Sequence, residues 1–245
     1  MKPIVLIPAR MASQRLPGKP LADIAGVPMI VRVWRQAVAA GIGPVVVAAA
    51  EREIVATIEA EGGRAVLTKP GLPSGSDRVF AALQMIDPGG EHDVIVNLQG
   101  DLPDLDPGYI RRVADMLSDP HVEIATLAAE IDNPRDRDNP AVPKPVVAWQ
   151  GDQGRALYFS RATVPTGAGA HFFHIGIYAF RRAALARFVA LPPSPLERRE
   201  KLEQLRALEA GMTIQVARVD RVPLSVDTVA DLERVRAILG KKTAT

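Results

Sequence analysis

Short apolar runs alternate with amphipathic segments through the first half of the chain. Each run is bounded by glycine, proline or polar residues and is too short for a buried helix, which is typical of a buried strand. The predicted strands are Ile4–Ile7, Val45–Ala48, Ala65–Leu67, Val94–Leu98 and Ile124–Ala128. The predicted helices are Pro28–Ala39, Glu53–Glu61, the segment from a capping Ser76 to about Met85, and Pro107–Leu117. This alternation predicts an α/β fold whose parallel sheet is covered on both faces.

The second half departs from that alternation. Its polar, proline-rich segment Asp132–Pro145 predicts a loop. Predicted strands are Val146–Trp149 and Gly154–Phe159, joined as a hairpin, then Ile175–Phe180 and Ile214–Val219. Predicted helices are Arg181–Val189, one running from a capping box at Ser194, Pro195 and Glu197 to Glu209, and one capped by Thr228 and Asp231 that ends near Gly240. No linker is long enough to separate independent domains, so a single domain of 245 residues is expected.

A basic loop follows the first predicted strand. It carries Arg10, Arg15 and Lys19, and Pro17 and Gly18 prevent a helix there. Open α/β sheets bind ligands at the carboxyl ends of their strands, and this charge suits a polyphosphate. The loop matches neither the Walker A pattern nor the glycine fingerprint of dinucleotide-binding folds. A solvated surface loop without a ligand is the alternative interpretation.

Two carboxylates are the candidate metal ligands. Asp101 emerges beside Gly100 at the carboxyl end of the strand Val94–Leu98, which is the same sheet edge as the basic loop. Asp227 precedes the last predicted helix. A carboxylate that faces a polyphosphate site indicates an intervening cation, and Mg²⁺ is held in this way by one or two carboxylates and phosphate oxygens. Both residues could instead serve only as caps of neighbouring turns or helices.

Composition narrows the classes of partner. The net charge of +2 and the aromatic content of 4% argue against a nucleic-acid partner or a membrane surface. The absence of cysteine excludes disulfides and thiolate chemistry. No apolar stretch approaches the length of a membrane span, and the first apolar run is too short for a signal peptide. We therefore expect a cytoplasmic protein.

The order of several motifs resembles one enzyme family. RxxxxRLPGK, SGSDR, QGD, YFSRATVP, HIGIY, PPSPLE…LEQLR and SVDTxxDLERV follow one another from Pro3 to about Leu239. This order is similar to that of the 3-deoxy-manno-octulosonate (KDO) cytidylyltransferases. The resemblance implies a Rossmann-like nucleotidyltransferase fold with a smaller β-rich subdomain for sugar binding and dimerisation. It also implies a Mg²⁺-dependent homodimer that transfers CMP from CTP to KDO for lipopolysaccharide biosynthesis.

The resemblance also assigns roles to residues and to parts of the chain. Residues 1–130 would form the nucleotide-binding half, 131–220 the sugar-binding and dimerisation part, and 221–240 the closing segment with a metal ligand. Catalytic roles are implied for Arg10, Lys19, Asp101 and Asp227, the last two as Mg²⁺ ligands. Contacts with CTP are implied for Arg10, Arg15, Lys19, Ser74, Gly75 and Arg78. Contacts with the sugar are implied for Gln99, Arg161, His174, Tyr178, Glu203 and Gln204.

Departures from the family pattern leave alternatives open. The QGD motif is usually followed by Glu-Pro, whereas Leu102 and Pro103 follow here, and Asp104 is a possible replacement carboxylate. Pro143 and Pro145 flank Lys144 and are expected to redirect its side chain. The alternatives are a cytidylyltransferase for sialic acid or an 8-amino sugar, and a nucleotide-binding module without catalysis.

Overall fold

The computed structural model describes residues 1–13 and 15–243. The chain divides into two compact units. The first unit contains Lys2–Asp93, Asn97–Ile110 and the residues from Pro223 onward. The second contains Met1, Val94–Val96 and Arg111–Val222. No helix in the described part of the chain is long and apolar enough to cross a membrane.

The first unit is built on parallel strands. Its strands are β1 (Pro3–Ala9), β2 (Asp23–Ile24), β3 (Val27–Pro28), β4 (Val45–Ala49) and β5 (Arg64–Leu67), with the end of β6 (Val94–Leu98). Its helices are α1 (Met29–Ala40), α2 (Arg52–Ala60), α3 (Gly75–Ile86), the start of α4 (Pro107–Asp115) and α9 (Val229–Thr243). Strand β4 pairs in parallel with β1 on one side and β5 on the other. Strands β1, β4 and β6 are almost entirely buried, as their continuous apolar runs predict.

The second unit has a mixed sheet. Its strands are β7 (Ile124–Glu130), β8 (Lys144–Gln150), β9 (Gln153–Ser160), β10 (Phe172–Arg181) and β11 (Ile214–Val219). Its further helices are α5 (Pro134–Arg137), α6 (Arg182–Ala190), α7 (Pro195–Glu200) and α8 (Leu205–Glu209). The order is β10-β7-β11-β9-β8, in which β7 and β11 pair in parallel and the other neighbours pair antiparallel. The predicted α/β class and the β-rich second part are therefore confirmed.

One prediction about the first unit is wrong, and one element of that unit is absent from the sequence-based prediction. Ser74, rather than Ser76, caps α3, because its Oγ accepts the Asp77 backbone N–H at 3.1 Å. Ser76 is buried in the first turn of the helix, where its Oγ accepts a hydrogen bond from Asn97. The β2–β3 hairpin was not predicted, since its two-residue strands are too short to produce a periodic pattern.

The long helix predicted to end at Glu209 is interrupted. The capping box is present, with Ser194 and Glu197 each accepting the other's backbone N–H. Helix α7 then ends at Lys201, which adopts a left-handed conformation with φ 55°. The break lets Leu202 and Leu205 both enter the core. Burial of these leucines outweighs the helical propensity of the segment.

The predicted loop at 132–145 is shorter than expected. Helix α5 forms within it, capped by the Asn133 side chain. Strand β8 begins at Lys144. The Lys144 side chain is fully buried, and its Nζ donates to the carbonyl oxygens of Asn139 at 2.6 Å and Arg161 at 3.2 Å. Burial lowers the pKa of Lys144. The side chain therefore serves this local structure.

An apolar cluster joins the two ends of the chain within the first unit. Its buried members are Leu16, Ile24, Met29, Val226, Leu232, Val235 and Leu239. Leu16 belongs to the basic loop, and the last three belong to α9. The carboxyl-terminal helix thus supports the loop that follows β1.

Candidate active site

The basic loop lines an open pocket of about 860 Å³ in the first unit. The chain leaves β1 at Ala9, and Gly18 takes a left-handed conformation with φ 70° before a single 3₁₀ turn at Lys19–Leu21. Glycine adopts such a φ at little cost. The pocket-lining residues include Arg10, Ser13, Arg15, Lys19, Ser74, Gly75, Arg78, Gln99 and Asp101. The structure therefore brings together residues from separate segments of the sequence.

Lys19 bridges the two candidate metal ligands. Its Nζ lies 2.9 Å from Asp101 Oδ2 and 3.0 Å from Asp227 Oδ1. Arg15 Nη2 also contacts Asp227 Oδ1, at 3.1 Å. Burial lowers the pKa of Lys19, but the two carboxylates raise it more, so that it lies above its ordinary value. The carboxylates of Asp101 and Asp227 thus contact the same ammonium group, that of Lys19, although Asp227 stands 208 positions after Lys19 in the chain.

Backbone contacts hold the two carboxylates in place. Gly100 passes close to β1, and a Cβ there would lie 3.1 Å from the Pro8 carbonyl oxygen. The Val226 N–H donates to the Asp101 carbonyl oxygen at 3.0 Å. The carboxylate of Asp231 accepts the backbone N–H groups of Asp227 and Thr228. These backbone contacts therefore fix the positions of both Asp101 and Asp227.

The donor set suits a divalent ion that is completed by substrate. Among residues 1–13 and 15–243, no group of three or more histidine or carboxylate side chains forms a self-sufficient metal site. Two carboxylates that share one cation match the usual protein contribution to a Mg²⁺ site, where phosphate oxygens and waters supply the other ligands. Asp101 and Asp227 therefore fit the predicted ion, and their role as its ligands stays a prediction.

The other residues predicted to contact CTP have structural partners. Ser74 Oγ is occupied by Asp77, to which it donates at 2.8 Å. Arg78 is 2% exposed and donates to the Thr68 hydroxyl and to the carbonyl oxygens of Lys69 and Pro70. Burial lowers the pKa of Arg78, and the negative charge of Glu51 offsets part of this shift. Arg78 therefore holds the loop after β5, and its contact with nucleotide stays a prediction.

Gly75 and Gln99 lie together on the pocket wall. A Cβ on Gly75 would come within 3.4 Å of Gln99 Oε1, so that glycine leaves room for the amide. Gln99 Nε2 donates to Asn97 Oδ1 at 3.0 Å, and this bond orients the Gln99 side chain. The carbonyl end of Gln99 can still accept a hydrogen bond from a ligand.

The remaining candidates for sugar binding belong to the second unit. Arg161 donates to four backbone carbonyl oxygens, those of Glu200, Pro140, Ala141 and Lys201. Glu200 in turn accepts the Arg161 N–H and the Ser160 hydroxyl. Arg161 thus ties the connection after α7 to the end of β9. This geometry leaves a guanidinium edge with few donors for a substrate carboxylate.

The rings of His174, which is buried, and Tyr178, which is half-buried, lie next to each other on β10. The two rings lie 5.4 Å apart, and His174 Nε2 is 3.0 Å from the Thr126 hydroxyl. Burial lowers the pKa of His174 to about 3. Burial, with a smaller contribution from Glu203, raises the pKa of Tyr178 well above its usual value. Both side chains are therefore neutral at physiological pH.

Glu203 and Gln204 occupy the link between α7 and α8. Gln204 is 7% exposed, and within the described residues its Nε2 has no hydrogen-bond partner. Glu203 lies 3.9 Å from Arg206, whose guanidinium makes its shorter bonds with Glu197, at 2.6 and 2.8 Å. Glu203 lies outside the helix that was expected there, because α7 ends at Glu200 and α8 begins at Leu205. The break at Lys201 therefore sets the direction of the Glu203 side chain.

Glu51 has no role in the sequence-based assignment, and Asp104 enters it only as a possible replacement carboxylate. Glu51 accepts the Met11 backbone N–H at 2.9 Å and so holds the start of the basic loop. Its position just after β4, at the carboxyl edge of the sheet, was the signal that could have found it. Asp104 accepts the Leu224 N–H at 2.7 Å. No local pattern links residues that lie 120 positions apart.

Comparison with known proteins identifies the family. The profile of the cytidylyltransferase family matches residues 4–214. The chain is 64% identical over 241 residues to the 3-deoxy-manno-octulosonate cytidylyltransferase of Rhodospirillum rubrum, covering 97% of this chain and 96% of that protein. The chain belongs to the 3-deoxy-manno-octulosonate cytidylyltransferase family. The family member of Parvibaculum lavamentivorans is 62% identical, with 98% and 94% of the two chains covered.

Solved structures agree with this family assignment. The CMP:2-keto-3-deoxy-manno-octonic acid synthetase complexed with CTP superposes with a TM-score of 0.90 at 38% identity, covering 99% of this chain and all of the other. Apo UDP-glucose pyrophosphorylase superposes with a TM-score of 0.72 at 11% identity, with 99% and 100% of the chains covered. The second likeness supports the fold alone. The predicted nucleotidyltransferase fold is confirmed.

Proposed function

We propose that this enzyme transfers CMP from CTP to 3-deoxy-manno-octulosonate, with release of pyrophosphate, for lipopolysaccharide biosynthesis. Near full-length identity of 64% to a cytidylyltransferase for this sugar is the observation that carries the proposal. The first unit adds the physical requirement for it, a pocket lined by four cationic side chains and Asp101, with Asp227 paired to Lys19 and Arg15. Retention of both carboxylates disfavours a nucleotide-binding module without catalysis.

The reaction needs charge stabilisation more than covalent catalysis. The anomeric hydroxyl of the sugar attacks the α-phosphorus, the bond to the bridging oxygen breaks, and the electron pair leaves with pyrophosphate. We assign Arg10, Arg15 and Lys19 to the triphosphate, where their charge stabilises the leaving group. Lys19 and Arg15 already bind carboxylate oxygens at 2.9 to 3.1 Å, so they are placed at this edge before substrate arrives. Such preorganisation lowers the barrier.

We assign a Mg²⁺ ion to Asp101 and Asp227. The convergence of both carboxylates on the Lys19 ammonium supports this assignment, because it places two oxygen ligands around one positive charge. When bound, the ion would polarise the phosphate and lower the pKa of an attacking hydroxyl. The backbone bond between Val226 and Asp101 keeps the two ligands in register.

We assign the sugar to Arg161, His174, Tyr178, Glu203 and Gln204, which all belong to the second unit. The buried Gln204 Nε2 without a partner among the described residues supports this assignment, because buried donors are normally paired and a sugar oxygen would pair it. Neutral His174 and Tyr178 offer hydrogen bonds to hydroxyl groups. The substrate carboxylate would meet Arg161, whose position is fixed by its bonds to backbone carbonyls.

We also propose a homodimer in the cytoplasm, where CTP is available. The family resemblance supports the dimer, and Leu157 of the β8–β9 hairpin, which is 49% exposed, is the position chosen to test it. Light scattering after gel filtration tests this with the wild type and Leu157→Lys. A wild-type mass of one chain at micromolar concentration would exclude the dimer.

Pyrophosphate release tests the reaction. With CTP, Mg²⁺ and KDO together, release is expected, and omission of any one should abolish it. Asp101→Asn should lower kcat by at least about 100-fold, because it removes a ligand charge where transition-state charge develops. Asp119→Asn, in an exposed turn, is the matched control. Preference for sialic acid or an 8-amino octulosonate would redirect the assignment of substrate, and CTP binding without turnover of any sugar would leave only a binding module.

A further inference from the structure

Three backbone contacts fasten the segment that carries Asp227. At its carboxyl end, the Asp231 side chain accepts the N–H groups of Asp227 and Thr228. In its middle, the Val226 N–H bonds to the carbonyl oxygen of Asp101. At its amino end, the Leu224 N–H donates to Asp104 Oδ1 at 2.7 Å, the shortest of these bonds. The segment is thus held at its start, middle and end.

Two of these contacts come from the turn that begins with Asp101. Asp101 and Asp104 lie three positions apart in one turn, which also holds the buried Leu102. The Asp101 side chain faces Lys19, whereas the Asp104 side chain reaches the backbone of the other segment. One turn therefore provides the candidate ligand Asp101 and also anchors the segment that provides the other candidate ligand, Asp227.

We infer that Asp104 is a positioning residue for the metal site, which sets where Asp227 lies relative to Asp101. This inference rests on the proposed function, since it assumes that the two carboxylates bind the ion together. Leu102 stands where the family pattern usually has an acidic residue, and it is buried in the core. Asp104 is the second acidic side chain of this turn, after Asp101, and its carboxylate holds the backbone of the segment that carries Asp227.

A Mg²⁺ site tolerates little displacement of its ligands. The ion requires near-ideal octahedral geometry, so ligands from different segments must be held in a fixed relation. Without Asp104 Oδ1, the Leu224 N–H loses a charge-assisted acceptor. Packing of Leu224 and Val226 in the apolar cluster and the Val226–Asp101 bond then hold the start of the segment. Loss of a bond made directly to a metal ligand typically weakens metal affinity or activity by about 10- to 100-fold, and Asp104 acts one step further out, so we expect the lower end of that range.

The test compares Asp104→Ala, Asp104→Asn and Asp106→Ala. Asn retains a carbonyl oxygen in place of Oδ1, so it can accept the Leu224 N–H. Asp106 is a matched control in the same turn, because its Oδ1 accepts one backbone N–H, that of Gly108, also at 2.7 Å. Steady-state pyrophosphate release gives kcat, the KM for CTP, and the Mg²⁺ concentration for half-maximal rate. The rise in unfolding temperature with Mg²⁺, measured with CTP present and sugar absent, gives a second readout without turnover.

For Asp104→Ala we expect kcat to fall by about 10-fold or more, while the KM for CTP changes by less than about 3-fold. The Mg²⁺ concentration that gives half of the maximal rate, and the concentration that gives half of the rise in unfolding temperature, should each increase by about 10-fold. Asp104→Asn should recover most of this loss, and Asp106→Ala should keep wild-type Mg²⁺ dependence. Equal Mg²⁺ dependence in Asp104→Ala and Asp106→Ala would overturn the inference. The inference would also be overturned if Asp104→Asn folds but shows the same defect as Asp104→Ala. A wild-type enzyme without turnover would instead refute the proposed function.

Discussion

Removing the Lys19 charge tests whether the two carboxylates form a cation site. Lys19→Met keeps an unbranched side chain that is one atom shorter, and it leaves Asp101 and Asp227 without the ammonium that lies 2.9 and 3.0 Å from them. At an effective dielectric of about 20, each contact has a Coulomb energy of about 5–6 kcal/mol. Desolvation of Lys19 opposes this gain, and Asp227, with its side chain 45% exposed, is strongly screened. We therefore expect a net loss of about 2–3 kcal/mol in unfolding free energy without divalent ions.

Calorimetry at pH 7.5 provides the assay, since neighbouring carboxylates hold the pKa of Lys19 above its ordinary value of 10.5 and the ammonium is fully charged there. For a chain of this size, the loss corresponds to a fall of about 4–12 °C in Tm. Added Mg²⁺ should recover at least about half of that fall, because the ion replaces the missing cation. Lys2→Met, at an exposed side chain, is the control. If Mg²⁺ raises the Tm of Lys19→Met no more than that of the wild type, the shared cation site does not exist.

Two further predictions concern stability. The pKa of His174 is lowered to about 3, from about 6.5 in the unfolded chain, so its neutral form stabilises the fold above pH 6.5 and that stability is lost as pH falls towards 3. Between pH 7.5 and 5 the unfolding free energy in urea should fall by about 2 kcal/mol more in the wild type than in His174→Gln, and equal slopes would contradict the burial of a neutral imidazole. Ala25 has φ 49° and precedes Gly26 in the β2–β3 turn, so Ala25→Asn should raise unfolding free energy by about 0.5–1 kcal/mol, whereas Ala25→Val should lower it; a stabilising valine would show that the turn is not strained.

The elements that sequence predicts best are those whose side chains all have one environment. The strand Val94–Leu98 has the same bounds in the structure because every residue in it is buried. The basic loop was predictable for a similar reason, since the carboxyl end of a parallel strand is a known place for ligands. Asp101 and Asp227 were predictable as a pair only through the chemistry of their expected ion. Their shared contact with Lys19 required the structure.

The contacts that sequence does not reveal are those between a side chain and distant backbone. Arg78 and Arg161 both carry the charge that a nucleotide or a sugar acid would attract, and the structure adds that their donors bind carbonyl oxygens of neighbouring loops. Helical periodicity across Lys201 concealed the left-handed residue that ends α7, because a lysine gives no signal for that conformation. The bond from Leu224 to Asp104 joins segments that fold together only in three dimensions. Local patterns carry no information about such partners.

Because the first unit combines segments that lie far apart in the chain, its completion depends on the order of synthesis. Asp227 and the α9 residues that pack against Leu16 leave the ribosome after the whole of Arg111–Val222, which forms most of the second unit. A nascent chain that has not yet reached Asp227 therefore displays its cationic loop without the acidic partner and the apolar cover that later neutralise and shield it.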